Sequence, residues 1–129
     1  MFKINEDKSI YLTRGDIANI PVTHDLKQGD VLRFKVFKRR DCACVELQKD
    51  VYISEDTQEA FIPLEKEDTK IGDIISKPAN YWYEVELNPD TAPQTIIGYD
   101  EDGEKIFRLF PEGKDAGTDT IIDGNEVAY

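Results

Sequence analysis

The sequence is poor in the groups that covalent, metal and phosphate chemistry need. It has one histidine, His24, and two cysteines, Cys42 and Cys44. No clustered glycines lead from a strand into a helix, so there is no phosphate-binding loop. A Cys-x-Cys pair supplies too few ligands for zinc, and His24 is distant from it in sequence. In an extended strand the Cα atoms of such a pair lie about 6.5–7 Å apart, the outer limit for a disulfide, so both cysteines are expected as free thiols. Basic residues are also scarce. Lys and Arg number 16 against 27 Asp and Glu, for a formal net charge of -11. The only basic cluster, Lys38-Arg39-Arg40, runs straight into Asp41, which disfavours phosphate neutralisation along a nucleic acid. Nowhere do about 18 apolar residues run together, so no helix is expected to span a membrane. Met1 to Asp7 lacks the charged-then-apolar pattern of a leader peptide, and synthesis in the cytoplasm is the expectation.

What the sequence does have is alternation. In Val31–Phe37, Leu32, Phe34 and Val36 fall on one face, with Arg33 and Lys35 on the other. Val45, Leu47, Val51 and Ile53 share a face interrupted by Lys49. Ala60, Ile62 and Leu64 alternate with Glu59, Phe61 and Pro63. Tyr81, Tyr83, Val85 and Leu87 oppose Trp82, Glu84 and Glu86. A period of two over several short runs marks half-buried strands. Turn residues separate them: Gln28-Gly29-Asp30, Asn88-Pro89-Asp90 and Asp100-Glu101-Asp102-Gly103. The last is expected to close a hairpin between Thr95–Tyr99 and Glu104–Phe110, with Gly103 at positive φ. One short segment, Lys66–Ile71, has early acids and a following glycine, and is expected as a one- or two-turn helical connector. The pattern predicts an all-β fold, an antiparallel β-sandwich of seven to eight strands, with a small barrel as the alternative. Residues 1–111 are expected to form that single domain. Residues 112–129, acidic and with Ile121-Ile122 as their main apolar pair, are expected as an extension that is mobile or docked on a partner.

Reactive constellations fail on inspection. Asp100-Glu101-Asp102-Gly103 resembles part of a calcium loop, but the register would place Gly98 and Leu109 at the first and twelfth positions, where oxygen ligands belong. Neither catalytic, cofactor-binding nor metal residues are assigned, and a non-enzymatic role is expected. Arg14-Gly15-Asp16 spells a cell-adhesion tripeptide. Strand-like runs on both sides make it a strand-to-strand corner instead, with Gly15 supplying unusual φ and Asp16 bonding locally. The aromatics are the more informative residues. Trp82, Tyr81, Tyr99 and Phe61 are singled out as an interaction surface, since large aromatics concentrate in interface hot spots. Trp82 buried beneath a second sheet is the competing reading.

The order of short motifs resembles a known group. Leu12-Thr13-Arg14-Gly15-Asp16-Ile17, then Gly29-Asp30-Val31-Leu32-Arg33-Phe34-Lys35-Val36, then Tyr81-Trp82-Tyr83-Glu84-Val85-Glu86-Leu87 is similar to small tail or baseplate-region proteins of phages and prophages of Firmicutes. It is also similar to the N-terminal domain of the phage upper baseplate protein. The resemblance runs from about Ile4 to Leu109. It implies an immunoglobulin-like sandwich acting as a structural or adaptor component of a tail, self-assembling or docking to other tail proteins, and placed in the virion. No catalytic residues come with it. The alternative is a carbohydrate- or host-surface-binding module in which Trp82, Tyr81 or Tyr99 stacks on a sugar.

Overall fold

The computed structural model describes residues 1–39, 44–73, 75–101 and 103–112. Among the described residues nine strands follow one another: β1 (Phe2–Ile4), β2 (Ile10–Thr13), β3 (Ala18–Leu26), β4 (Val31–Phe37), β5 (Val45–Tyr52), β6 (Thr57–Leu64), β7 (Ala79–Leu87), β8 (Gln94–Ile97) and β9 (Lys105–Phe110). No helix occurs among the described residues. The excess over the expected seven or eight lies among the shortest strands, three-residue β1 and four-residue β2 and β8.

Seven strands form the larger sheet, ordered β1-β2-β9-β7-β4-β5 with β8 also on β7, and β3 and β6 form the smaller one. This is an immunoglobulin-like sandwich: β4, β7 and β9 correspond to strands C, F and G, β5 to C′, and the smaller sheet to the B–E pair. Alternation on both sheets meets in one core. Leu32, Phe34 and Val36 of β4, Val85 of β7, Phe107 and Leu109 of β9, and Ile20, Val22 and Ile62 of the smaller sheet are all buried. Phe34 lies at its centre, with ring centroids 5.6 Å from Tyr83 and 6.1 Å from Phe107. The sheets are not wholly antiparallel as expected, because β2 pairs parallel to β9. These strands stand at opposite ends of the domain's sequence, so no hairpin dictates their relative direction.

The smaller sheet carries proline in each strand. Pro21 pairs with Phe61 and Pro63 with Asn19, the same register class. Proline has no N–H for a ladder bond, so the ladder falls to the alternate set, Ala18, Ile20 and Val22 against Leu64, Ile62 and Ala60. Each proline then removes a donor from the strand's outer edge, which blunts two edges otherwise open to pairing.

Local expectations fail at four points. Lys66–Thr69 is a turn, not a helix. Asp68 folds back to accept a bond from the Glu65 N–H at 2.8 Å, and so short a segment cannot nucleate a helix alone. Val45 does not share the face of Leu47. The register slips between Val36↔Leu47 and Phe37↔Val45, and this bulge turns Val45 to the outer face. Strands β8 and β9 are not a hairpin pair: both pair with β7, β8 along Val85–Leu87 and β9 along Ala79–Tyr83. Nine-residue β7 is long enough to hold the two in succession. Lastly, Cys44 is disulfide-bonded rather than free. It lies before β5, in the connection where its carbonyl accepts from Lys38 N–H at 3.1 Å, so extended-strand spacing does not govern it. Cys42 lies outside the described residues, as do residues 113–129 of the expected extension and Asp102 of the expected turn.

Candidate functional site

The Arg14-Gly15-Asp16 corner is built inward. Arg14 is 8% exposed. Its Nε donates to the Ile71 carbonyl at 3.3 Å, and one terminal nitrogen donates to the Gly72 carbonyl at 2.7 Å and the Lys70 carbonyl at 3.4 Å. The other terminal nitrogen donates to Glu112. Gly15 has φ of +89°, a conformation that side-chain-bearing residues rarely adopt. Thr69, fully buried, accepts from the Gly15 N–H at 3.0 Å and donates to the Asp16 carbonyl at 2.8 Å. The Asp16 N–H closes the turn on the Thr13 carbonyl, and its carboxylate accepts from the Met1 amino nitrogen. An adhesive tripeptide needs its arginine splayed into solvent. Here the guanidinium clamps the 70–72 loop and the segment after β9.

The aromatic residues divide among three places. Tyr81 faces inward, opposite buried Phe107 on β9. Phe61, 52% exposed, lies on the outer face of the smaller sheet, far from the others in the fold. Trp82 is half-buried on the outer face of the larger sheet, which resolves whether the second sheet covers it. It stands directly opposite Ile106 on one side and Phe37 on the other, and Phe37 stands opposite Val45. Ile106, Trp82, Phe37 and Val45 therefore form an apolar row across four strands, about 14 Å long at the usual strand spacing.

Tyr99 joins this row through an interruption. Where β8 ends and β9 begins along β7, the chain leaves the sheet from Gly98 to Glu104 and returns. Asp100 and Gly103 bridge across its base, with Gly103 at φ +90°. A Cβ on Gly98 would lie 2.7 Å from Thr95 Cγ2, so a side chain here would force Thr95 to shift. Lys105, its side chain 2% exposed, donates from Nζ to Asp100 at 2.7 Å and to the Gly103 carbonyl at 3.3 Å. This buried ammonium braces the excursion and holds Tyr99, 79% exposed, beside the sheet. Phe37, Trp82 and Tyr99 then line a shallow depression with Glu84 and Glu104 at its margin.

The next rungs of the same face are charged. Lys35 Nζ bonds Glu86 at 2.8 Å and Glu84 at 3.4 Å, and lies 5.7 Å from the Phe37 ring centroid. Arg33 forks onto Asp50 at 2.9 and 3.0 Å and reaches Asp90 at 3.2 Å. The Arg33 hydrogen bond holds the Asp50 carboxyl below its ordinary pKa. Burial works against the Lys35 ammonium, but its bonds to Glu86 and the charges of Glu86 and Glu84 raise its pKa on balance. An apolar row thus borders a lattice of two cations and four carboxylates.

Reading the sequence alone finds Trp82 and Tyr99 but misses Phe37, Ile106 and Val45. Those residues join only through strand register, and Val45 only through a bulge. Among the described residues no group of three or more His, Cys, Asp or Glu is placed to hold a metal ion. No helix among them is long and apolar enough to cross a membrane.

The fold and this face define an immunoglobulin-like β-sandwich with an aromatic outer surface. No protein-family model matches the chain, and no curated protein matches it. A solved structure with some likeness is a chain of the CsuC–CsuE chaperone–tip adhesion subunit pre-assembly complex from the archaic chaperone-usher Csu pili of Acinetobacter baumannii. The identity is 12% and the TM-score 0.43, over 88% of this chain. This chain spans about half of that one, 53%. So distant a likeness bears on neither partner nor function.

Proposed function

We propose that this protein is a non-enzymatic docking module, a structural or adaptor component of a phage or prophage tail. Docking is carried by one observation: the row Ile106–Trp82–Phe37–Val45, capped by exposed Tyr99 and bordered by charge. An apolar, aromatic centre with a polar rim is the anatomy of a protein interface. The tail setting rests on the resemblance of the Leu12–Ile17, Gly29–Val36 and Tyr81–Leu87 motifs. A photo-cross-linking residue at Tyr99, with one at Phe61 as the control on the other sheet, tests both parts in cells that produce particles. The expected product at Tyr99 is a defined adduct with a tail or baseplate protein, absent at Phe61. Equal labelling at both positions removes the face as the docking site. A specific adduct with a protein that belongs to no particle removes the tail setting alone.

A second reading has its own observation, since Trp82 and Tyr99 line one depression with two carboxylates beside them. That is the outline of a sugar platform. Saturable oligosaccharide binding lost in Trp82→Ala would favour it over docking.

A further inference from the structure

We infer that the aromatic face of the larger sheet docks on a second copy of this chain, with the apolar row of one copy lying along that of the other. The inference rests on the docking reading and names its partner. The row Ile106–Trp82–Phe37–Val45 is the middle one of several on that face. Two residues along in one direction, register sets Lys3, Tyr11, Arg108 and Asn80 side by side across β1, β2, β9 and β7. Two residues along in the other direction stand Glu84, Lys35 and Gln48, and beyond them Glu86, Arg33 and Asp50. The two flanks differ in sign. Arg108 donates to Asn80 at 2.7 Å and lies 5.8 Å from the Tyr11 ring centroid. Among the described residues no carboxylate pairs with Arg108 or with exposed Lys3. On the opposite flank Asp50, Asp90, Glu84 and Glu86 share only Arg33 and Lys35. One flank thus carries an excess of two positive charges and the other an excess of two negative charges.

Such a face is complementary to itself. Two identical sheets packed face to face are related by a two-fold axis lying in the plane between them. With that axis along the apolar row, Ile106, Trp82, Phe37 and Val45 each meet their own copy, and the charged flanks exchange sides. Asn80 and Arg108 of one copy then come over Glu84 of the other, and symmetry makes the contact twice. Glu84 does not have to leave Lys35 for this. A carboxylate accepts from about four directions, and the Lys35 ammonium is nearer Glu86, at 2.8 Å, than Glu84, at 3.4 Å. An axis along the strands would instead lay the acidic flank on itself, which like-charge repulsion opposes. Size agrees as well. The face is about 24 Å across its six strand lanes and about 30 Å along nine-residue β7. That footprint is close to the about 800 Å² a side of a standard stable interface.

Sedimentation equilibrium of the full chain, over a range of concentration and salt, tests the arrangement. The expected result is a monomer–dimer equilibrium whose dissociation constant rises with ionic strength, because the reciprocal charge contacts are screened. Arg108→Glu and Glu84→Lys should each weaken the dimer at least about tenfold, since each sets like charges opposite one another at both contacts. Their equimolar mixture should recover to within about threefold of the parent, because the mixed pair restores opposite charges at both. Val45→Arg brings two like charges together on the axis and should weaken the dimer by about tenfold as well. Val45 is 43% exposed, so this variant keeps the fold, which circular dichroism would verify for all three. A parent that stays monomeric at about 1 mM would overturn the inference. So would a dimer undiminished in Val45→Arg, or mixed charge variants that associate no more tightly than either alone. If the parent is monomeric while cross-linking at Tyr99 captures a different tail protein, docking stands and the second copy falls.

Discussion

Replacing Arg14 with methionine keeps an apolar stem of similar reach and deletes the guanidinium. In the folded protein that group donates to three carbonyls and one carboxylate from a position 8% exposed. The bonds at 3.3 and 3.4 Å are long and add little. The bond to the Gly72 carbonyl and the ion pair with Glu112 dominate. Hydrogen bonds involving a charged group contribute about 1.5–3 kcal/mol each, and stripping the partner from a buried charge costs more. Glu112 is 20% exposed and can turn to water, which lowers the sum. The expected loss is therefore about 2–4 kcal/mol, a large share of the about 5–15 kcal/mol typical of a domain. For a domain of this size it corresponds to a fall in Tm of about 10 °C. Differential scanning calorimetry of Arg14→Met, with Glu112→Gln as the milder companion, measures the split. Glu112→Gln should cost about 1 kcal/mol, because the carbonyl bonds of Arg14 survive. A Tm for Arg14→Met within about 2 °C of the parent would refute the clamp. Unchanged stability joined to lost adhesion to cells would restore the adhesive reading of the tripeptide.

Phe34, fully buried between Tyr83 and Phe107, should cost about 3–5 kcal/mol as Phe34→Ala in denaturant unfolding, and a loss below about 1 kcal/mol would show that the core closes over the gap. Acid should destabilise the fold. Asp50 is held below its ordinary pKa by the Arg33 hydrogen bond, and Asp30 by the Lys27 N–H and Asn88. At Asp68 burial pushes upward but the Glu65 N–H and Lys49 outweigh it. Their contributions are complete above the unfolded carboxyl pKa of about 4 and vanish as pH falls through the lower folded values. Tm should thus decline below about pH 4, less steeply in Asp50→Asn, and parallel declines would remove Asp50 from the account. Tyr83 moves oppositely, since burial and the Asp7 charge raise its pKa. Its stability contribution is whole below about pH 10 and is lost as pH rises beyond, so the alkaline decline should shrink in Tyr83→Phe, and an unchanged slope would refute the assignment. Restoring edge donors with Pro21→Thr and Pro63→Thr should promote edge-to-edge association, visible by light scattering, and a double variant that stays as monodisperse as the parent would show that the prolines do not guard those edges.

Alternation alone was enough to read the core strands. Leu32, Phe34 and Val36, Ile62 and Leu64, and Tyr83, Val85 and Leu87 are buried where the period of two puts them. That pattern is local, because a half-buried strand must alternate whatever its neighbours. The corner at Gly15 was legible for the same reason, as a backbone requirement carried by one residue. The partners of Arg14 were not, since Ile71 and Gly72 lie more than 50 residues away and meet it only after folding. Register, bulges and lane sharing also depend on long-range pairing. They decided that Val45 turns outward, that β8 and β9 follow each other along β7, and that Tyr99 lines one depression with Trp82 and Phe37. Sequence determined which faces are apolar. Tertiary structure decided which apolar residues become neighbours, because hydrogen-bond register between distant strands, not proximity along the chain, sets who stands opposite whom.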